Sequence, residues 1–248
     1  LCAALLGVSL VLKRYSMIGD GLSHVGFGII TVATALGISS PLYISIPIVM
    51  ITAIILLKIG NNKTIKSDSA IALISSGSLA IGVTVVSLTT GMNTDTCNFM
   101  FGSILAMSQS DVVLSVIVSI VVSILFVIYY RKLFIVTFDE DFAKASGLNT
   151  SRYTNIIAIL TSIVIVVGMR MMGTMLISSI IILPALSSMR VFKTFKKVVI
   201  SSGIVSVICF LLGIYFSYTL NVSTGAMIVL VNLIAFVIFT ILGKILQE

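Results

Sequence analysis

The sequence predicts an all-α polytopic membrane protein, a bundle of about eight or nine transmembrane helices. Hydrophobic residues make up 58% of the 248 positions and charged residues only 9%, whereas an average soluble domain carries roughly 25% charge. Several apolar runs approach the roughly 20 residues that a spanning helix needs. The strict alternation of apolar and polar residues that marks membrane barrel strands is missing, so we expect helices throughout.

The apolar runs predict the positions of the helices. In chain order they cover residues 1–12, 22–36, 42–57, 70–89, 112–130, 156–169, 172–189, 198–218 and 226–242. The two runs on either side of Arg170 are short, which leaves their division into spans open. The first run is too short to span comfortably, so we expect the start of the first helix to be missing. Because no low-complexity linker divides the chain, residues 1–248 predict a single transmembrane domain.

The basic residues predict the orientation of the bundle. The chain has a net charge of +7, and all but Arg170 of its 15 Lys and Arg residues fall in every second connection between the apolar runs. By the positive-inside rule these connections face the cytoplasm. They hold Lys13, Arg14, Lys58, Lys63, Lys66, Arg131, Lys132, Lys144, Arg152, Arg190, Lys193, Lys196, Lys197 and Lys244. Since these charges set topology rather than form one basic face, we expect no nucleic-acid partner.

Asp20 and His24 form an ionisable pair at the start of the second apolar run. His24 is the only histidine, and residues four apart lie on the same face of a helix. Ionisable groups are costly in lipid and mark an ion pathway, a proton relay or a partnered site. If one helix runs unbroken from Arg14, His24 lies about 15 Å beyond it, near the middle of a hydrocarbon core roughly 30 Å thick.

The chemistry of the pair predicts a metal site. Carboxylate and imidazole groups bind zinc and also harder ions such as manganese, but two ligands are too few for a closed site, so a second copy or other residues would complete it. The alternative is that the pair only fixes packing. Glycines around it allow close helix approach or leave room for an ion. We assign to helix packing or to the pathway Gly21, Ser23, Gly26, Gly28 and Pro184.

Residues 137–148 predict a short cytoplasmic helix. Thr137 and Glu140 have the spacing of a capping box, and Gly147 suits the C-terminal stop. An apolar face rimmed by acids fits a protein groove better than an anionic lipid surface, although an interfacial helix stays the alternative. The residues expected to contact a partner are Phe138, Asp139, Glu140, Phe142, Ala145 and Gly147.

Four segments resemble one known family, the permease subunits of zinc and manganese ABC importers. The segment at 13–24, KRYSMIGDGLSH, resembles the family's basic pair followed by a D-x-L-S-H element. Similar to other family elements are FGSIL at 101–105, FDEDFAKASG at 138–147 and MGTMLISSIIILPA at 172–185. The resemblance covers nearly all of the chain in the family's order.

The resemblance implies a homodimer in the cell membrane of a bacterium. Each copy would dock a cytoplasmic ATP-binding subunit and receive its ion from an extracellular or periplasmic metal-binding protein. Asp20 and His24 would lie in the path of the transported ion, which would be zinc, manganese or ferrous iron, and no cofactor would be bound permanently.

The sequence leaves other functional classes open. It contains no G-x-x-x-x-G-K-[ST] loop, so we expect the chain itself not to be an enzyme and ATP to be bound and hydrolysed by the partner. A proton-coupled secondary transporter of a cation would use the same buried pair without an ATPase, and it predicts an internal repeat that is not evident. A nontransporting scaffold would leave Asp20 and His24 as packing groups.

Overall fold

The chain folds into α-helices. The computed structural model describes residues 1–38, 41–59, 67–89 and 108–245, and every regular element in these segments is a helix. They are α1 Cys2–Leu12, α2 Ile18–Ala35, α3 Pro41–Ile59, α4 Ser67–Leu88, α5 Gln109–Phe138, α6 Glu140–Ala145, α7 Thr150–Met172, α8 Thr174–Val191, α9 Phe195–Leu220 and α10 Thr224–Ile245. Within the described segments, all but α1 and α6 are long and apolar enough to cross a membrane. The all-α membrane bundle is confirmed.

Gly173 separates the two apolar runs near Arg170 into two helices. Its φ of +85° is a backbone conformation that residues other than glycine rarely adopt. The amide of Gly173 still donates to the Met169 carbonyl at 2.8 Å, which ends α7, and α8 begins at Thr174. The two short runs are therefore separate spans.

The depth expected for His24 assumed a helix that continues from Arg14, and the structure has a turn there instead. Arg14 adopts a left-handed φ of +62°, while Tyr15 N–H donates to the Leu10 carbonyl at 2.9 Å and Arg14 N–H to the Val11 carbonyl at 3.0 Å. These bonds form a Schellman C-cap, and α2 starts afresh at Ile18. His24 therefore lies about 9 Å along α2 from Ile18, the first residue of that helix.

The basic residues lie mostly at helix ends rather than in the connections. Arg131 and Lys132 are inside α5, which runs on to Phe138. Terminal turns of helices hold Lys58, Arg152, Arg190, Lys196, Lys197 and Lys244. The helices thus extend past the apolar runs. From these terminal turns the long side chains of Lys and Arg can still reach water. Lys63 and Lys66 lie outside the described residues.

Helix α2 is the most enclosed of the eight candidate spans in the described segments. In its apolar window 67% of residues are buried, against 11% for α5. It packs against α3, α4, α7 and α8, and Leu22, Phe27 and Ile30 are almost fully buried. The pair therefore lies on the most enclosed of these helices, although its own side chains are only partly buried.

Candidate functional site

Asp20 and His24 face each other without a hydrogen bond. Asp20 lies in the first turn of α2, and its Oδ2 atom is 3.6 Å from Nε2 of His24. This separation exceeds hydrogen-bond range. Two ligands each about 2.1 Å from a tetrahedral ion lie about 3.4 Å apart. The spacing is compatible with two ligands of one ion and also with a direct ion pair between the two side chains.

The two side chains differ in their access to solvent. The Asp20 side chain is 40% exposed and that of His24 is 19% exposed. His24 Nδ1 is buried and has no hydrogen-bond partner among the described residues. Ser23 is fully buried, and its hydroxyl donates to the Asp20 carbonyl at 2.7 Å. Ser23 therefore stabilises the first turn of α2, while the Asp20 carboxylate stays open to a ligand.

The glycines around the pair serve close packing. A Cβ atom at Gly21 would lie 2.6 Å from Cγ2 of Ile71, and one at Gly26 would lie 2.8 Å from Cε of Met169. At Gly28 the obstacle is backbone, since a Cβ atom would stand 2.6 Å from the Ser78 carbonyl oxygen. Neighbouring helices thus occupy the space beside each glycine. Of the two interpretations that the sequence left open, the contacts favour close helix approach.

Pro184 lies in another part of the bundle. It is buried inside α8, where its missing N–H removes a helix hydrogen bond. One turn earlier, Ile181 contacts the position of Gly19, with Cδ1 3.4 Å from a Cβ atom placed there. Pro184 therefore belongs to the helix that supports the start of α2.

No third ligand completes the site within the described part of the chain. There, no group of three or more His, Cys, Asp and Glu side chains is arranged to hold a metal ion. Asp20 and His24 alone supply one carboxylate and one imidazole. Closed metal sites need four or more ligands, so further ligands would come from water, backbone or a second copy.

The predicted cytoplasmic helix is shorter than expected and has a different cap. Helix α6 covers Glu140–Ala145, and Asp139 is its N-cap, with Oδ1 accepting from the Phe142 amide at 2.8 Å. The capping-box assignment to Thr137 was wrong, because Thr137 is buried in the last turns of α5. Gly147 has a φ of +78° and follows the helix as predicted.

The exposed face of this region also differs from the prediction. Phe138 ends α5 and packs against Phe134 and Phe195, with ring centroids 4.9 and 6.1 Å away. Phe138 therefore lies on a different helix from Phe142, whereas Ala145 follows Phe142 by three residues in α6 and both are exposed. Phe142 is 59% exposed and Phe138 58% exposed. Both rings remain available to a partner, on adjoining elements.

Charges around α6 are paired locally. Lys144 Nζ lies 3.1 Å from Glu140 Oε1, within one helix. The Asp139 carboxylate accepts the capping hydrogen bond from the Phe142 amide, and Asp141 is exposed. The surface offered by α6 is therefore an exposed ring beside acidic groups, as the sequence predicted.

Sequence reasoning missed an ion pair at the other end of α7. Arg170 Nη1 lies 3.3 Å from Asp111 Oδ1. Asp111 also forms a capping box with Ser108 at the start of α5. In the sequence, the Ser108-x-x-Asp111 spacing indicates the capping box at the start of α5. The expected outward segment at 101–105 lies outside the described residues.

Comparison with known proteins gives consistent matches over the chain. Residues 1–243 match the ABC 3 transport family. The chain is 31% identical over 236 residues to the manganese import system permease protein ScaB of Streptococcus gordonii, with 95% of this chain and 84% of that protein covered. It is 27% identical over 239 residues to the high-affinity zinc uptake system membrane protein ZnuB of Haemophilus influenzae, covering 96% and 91%.

A solved structure has the same fold. PsaBC from Streptococcus pneumoniae in complex with Fab superimposes with a TM-score of 0.84 and 30% sequence identity, covering 96% of this chain and 85% of that one. The resemblance found in the four sequence segments is thereby confirmed at the level of the family. This multi-pass membrane protein belongs to the ABC 3 transport family.

Proposed function

We propose that this chain is the permease subunit of an ATP-binding-cassette importer that carries a divalent transition-metal ion, manganese or zinc, into the cytoplasm. The Asp20–His24 pair carries the proposal, because it places a carboxylate oxygen and an imidazole nitrogen 3.6 Å apart on the most enclosed spanning helix that the structure describes. The names of the relatives support this class of cargo.

The working permease would be a homodimer. One chain offers two ligands, and the Asp20 side chain is 40% exposed, so it can be reached from outside its own bundle. A second copy would bring a second carboxylate and a second imidazole to the same path. Four such ligands match the number that a zinc ion takes.

ATP would act through a separate cytoplasmic subunit. The chain has no phosphate-binding loop, and α6 presents Phe142 beside acidic groups where a partner can dock. On this account the Lys- and Arg-rich helix ends lie in the cytoplasm of a bacterial cell. A metal-binding protein would deliver the ion at the opposite face.

Metal uptake by the reconstituted complex tests the proposal. Asp20→Ala and His24→Ala should each abolish ATP-dependent Mn²⁺ and Zn²⁺ uptake while the permease still assembles in the membrane. Asp68→Ala is the matched control, because Asp68 is the acidic residue of the first turn of α4 and is exposed. Unchanged uptake in both pair variants would return the pair to a packing role.

The same assay separates this proposal from a proton-driven carrier. An ABC importer needs ATP and keeps working when an ionophore collapses the proton gradient. A carrier that relays protons through Asp20 and His24 stops under that treatment and works without the ATPase. Family membership favours the first result.

A further inference from the structure

Lys13 joins the α1–α2 junction to the start of α7. Its Nζ atom donates a hydrogen bond to Oγ1 of Thr154 at 3.0 Å, across 141 positions of sequence. Thr154 is 7% exposed and lies in the second turn of α7. The contact therefore ties a turn that leads into α2 to a helix that follows directly after α6.

The junction holds a defined and strained backbone. Arg14 has a φ of +62°, where glycine or asparagine is usual, and Tyr15 beside it is 8% exposed. Non-glycine residues in this conformation persist only when their surroundings hold them there, and they cluster at switching sites. The start of α2 is consequently fixed by its neighbours rather than by local preference.

Electrostatics place the junction close to α6. Burial lowers the pKa of Lys13, Glu140 opposes that shift by favouring the charged form, and Lys144 adds to it. Burial also raises the pKa of Tyr15, and Glu140 raises it further. Both junction side chains therefore lie within the field of the charges on α6, and Lys13 also donates a hydrogen bond to Thr154 of α7.

We propose that Lys13 is a positioning residue that links movement of the ATPase-facing helix α6 to the metal ligands on α2. The inference rests on the proposed function and adds to it the route of coupling. Helix α6 contacts both α5 and α7, so a displacement of α6 by its partner moves the first turns of α7. Through the Lys13–Thr154 bond, that movement reaches the junction and then Asp20, in the first turn of α2.

Coupling efficiency is the quantity that tests this role. The complete permease–ATPase complex in proteoliposomes is assayed for Mn²⁺ uptake and ATP hydrolysis together, and the readout is ions moved per ATP hydrolysed. In Lys13→Met this ratio should fall about tenfold, because a hydrogen bond from a charged group is lost. Mn²⁺ binding and ATPase co-purification should be retained. Lys13→Arg, which keeps a charged donor, should recover most of the ratio.

Two further variants make the test independent of any folding defect at Lys13. Thr154→Val removes the acceptor with little change of shape and should lower the same ratio. Lys58→Met makes the identical substitution at an exposed lysine of α3 and should leave the ratio at the wild-type value.

The outcomes separate the two proposals. If Lys13→Met and Thr154→Val move as many ions per ATP as wild type, or if they lose Mn²⁺ binding together with uptake, Lys13 has no positioning role. If wild-type complex moves neither Mn²⁺ nor Zn²⁺ with ATP, the proposed function fails, and the coupling role fails with it.

Discussion

The backbone carbonyl of Ser78 in α4 lies against Gly28 of α2, so near that a Cβ atom on Gly28 would stand 2.6 Å from the oxygen. The same interface brings Gly82 of α4 against Phe27, where a Cβ atom would lie 2.7 Å from the ring. Small residues let transmembrane helices approach this closely. Helix α2, which carries the proposed metal ligands, therefore packs against α4 at backbone distance.

Gly28→Ala should destabilise the permease. The added methyl group meets backbone that cannot rotate away, and such overpacking typically costs about 1–3 kcal/mol. Thermal unfolding of the detergent-purified protein measures the loss. Gly77→Ala in α4 is the matched control, because a Cβ atom there meets nothing within 4 Å. Equal unfolding temperatures for the two variants would contradict the α2–α4 contact.

Phe142→Ala should weaken binding of the ATPase subunit. Phe142 is 59% exposed on α6, and truncating an aromatic anchor at an interface costs on the order of 2 kcal/mol or more. Co-purification of the subunit and its affinity in detergent are the measurements.

Tyr218→Ala supplies the control for that prediction. Tyr218 is also an exposed aromatic residue, at 84%, but it lies near the far end of α9, roughly 35 Å along the helix from Phe195. Phe195 packs on Phe138 beside α6. Equal loss of ATPase in both variants, or loss in neither, would place the docking surface elsewhere.

The Asp111–Arg170 pair should contribute measurably to stability. The Asp111 side chain is 16% exposed and is the N3 member of the capping box whose N-cap is Ser108, so Asp111→Ala removes one half of that box and an ion pair worth up to about 1 kcal/mol. A double-mutant cycle with Arg170→Gln, read by thermal unfolding, isolates the ion pair. Strict additivity of the two single changes would show that the pair contributes nothing.

Cysteine labelling should confirm the orientation of the bundle. With the native cysteines replaced, Ser223→Cys between α9 and α10 should react with an impermeant reagent from outside the cell. Ser151→Cys at the start of α7 should react only after the membrane is opened. Both positions are exposed. The reverse pattern would overturn the assignment of the basic helix ends to the cytoplasm.

The apolar runs were sufficient to predict the helices, but the junctions depended on tertiary contacts. The turn at Arg14 was not expected, because Arg14 occupies a left-handed position that glycine usually takes. At the start of α6, the sequence suggested Thr137 as the cap, whereas the structure uses Asp139. Packing of Phe138 on Phe134 and Phe195 favours the longer α5 and leaves Asp139 as the cap.

The proposed metal ligands could be selected from the sequence because a lone histidine four residues from an aspartate is conspicuous in an apolar run. The Lys13–Thr154 bond was not, since it joins residues 141 positions apart through the three-dimensional packing. Ligands contributed by a second copy leave no spacing in one chain, so no sequence pattern predicts them.

Equilibrium binding of Mn²⁺ and Zn²⁺ to the purified permease, with and without the imidazole of His24, tests the central claim most directly. Bound metal is counted by elemental analysis after exhaustive dialysis against buffered free ion. We predict that the wild-type dimer retains ion and that His24→Ala and Asp20→Ala lose it, while Asp68→Ala retains it. Equal metal content in wild type and both pair variants would contradict the assignment of Asp20 and His24 as ligands.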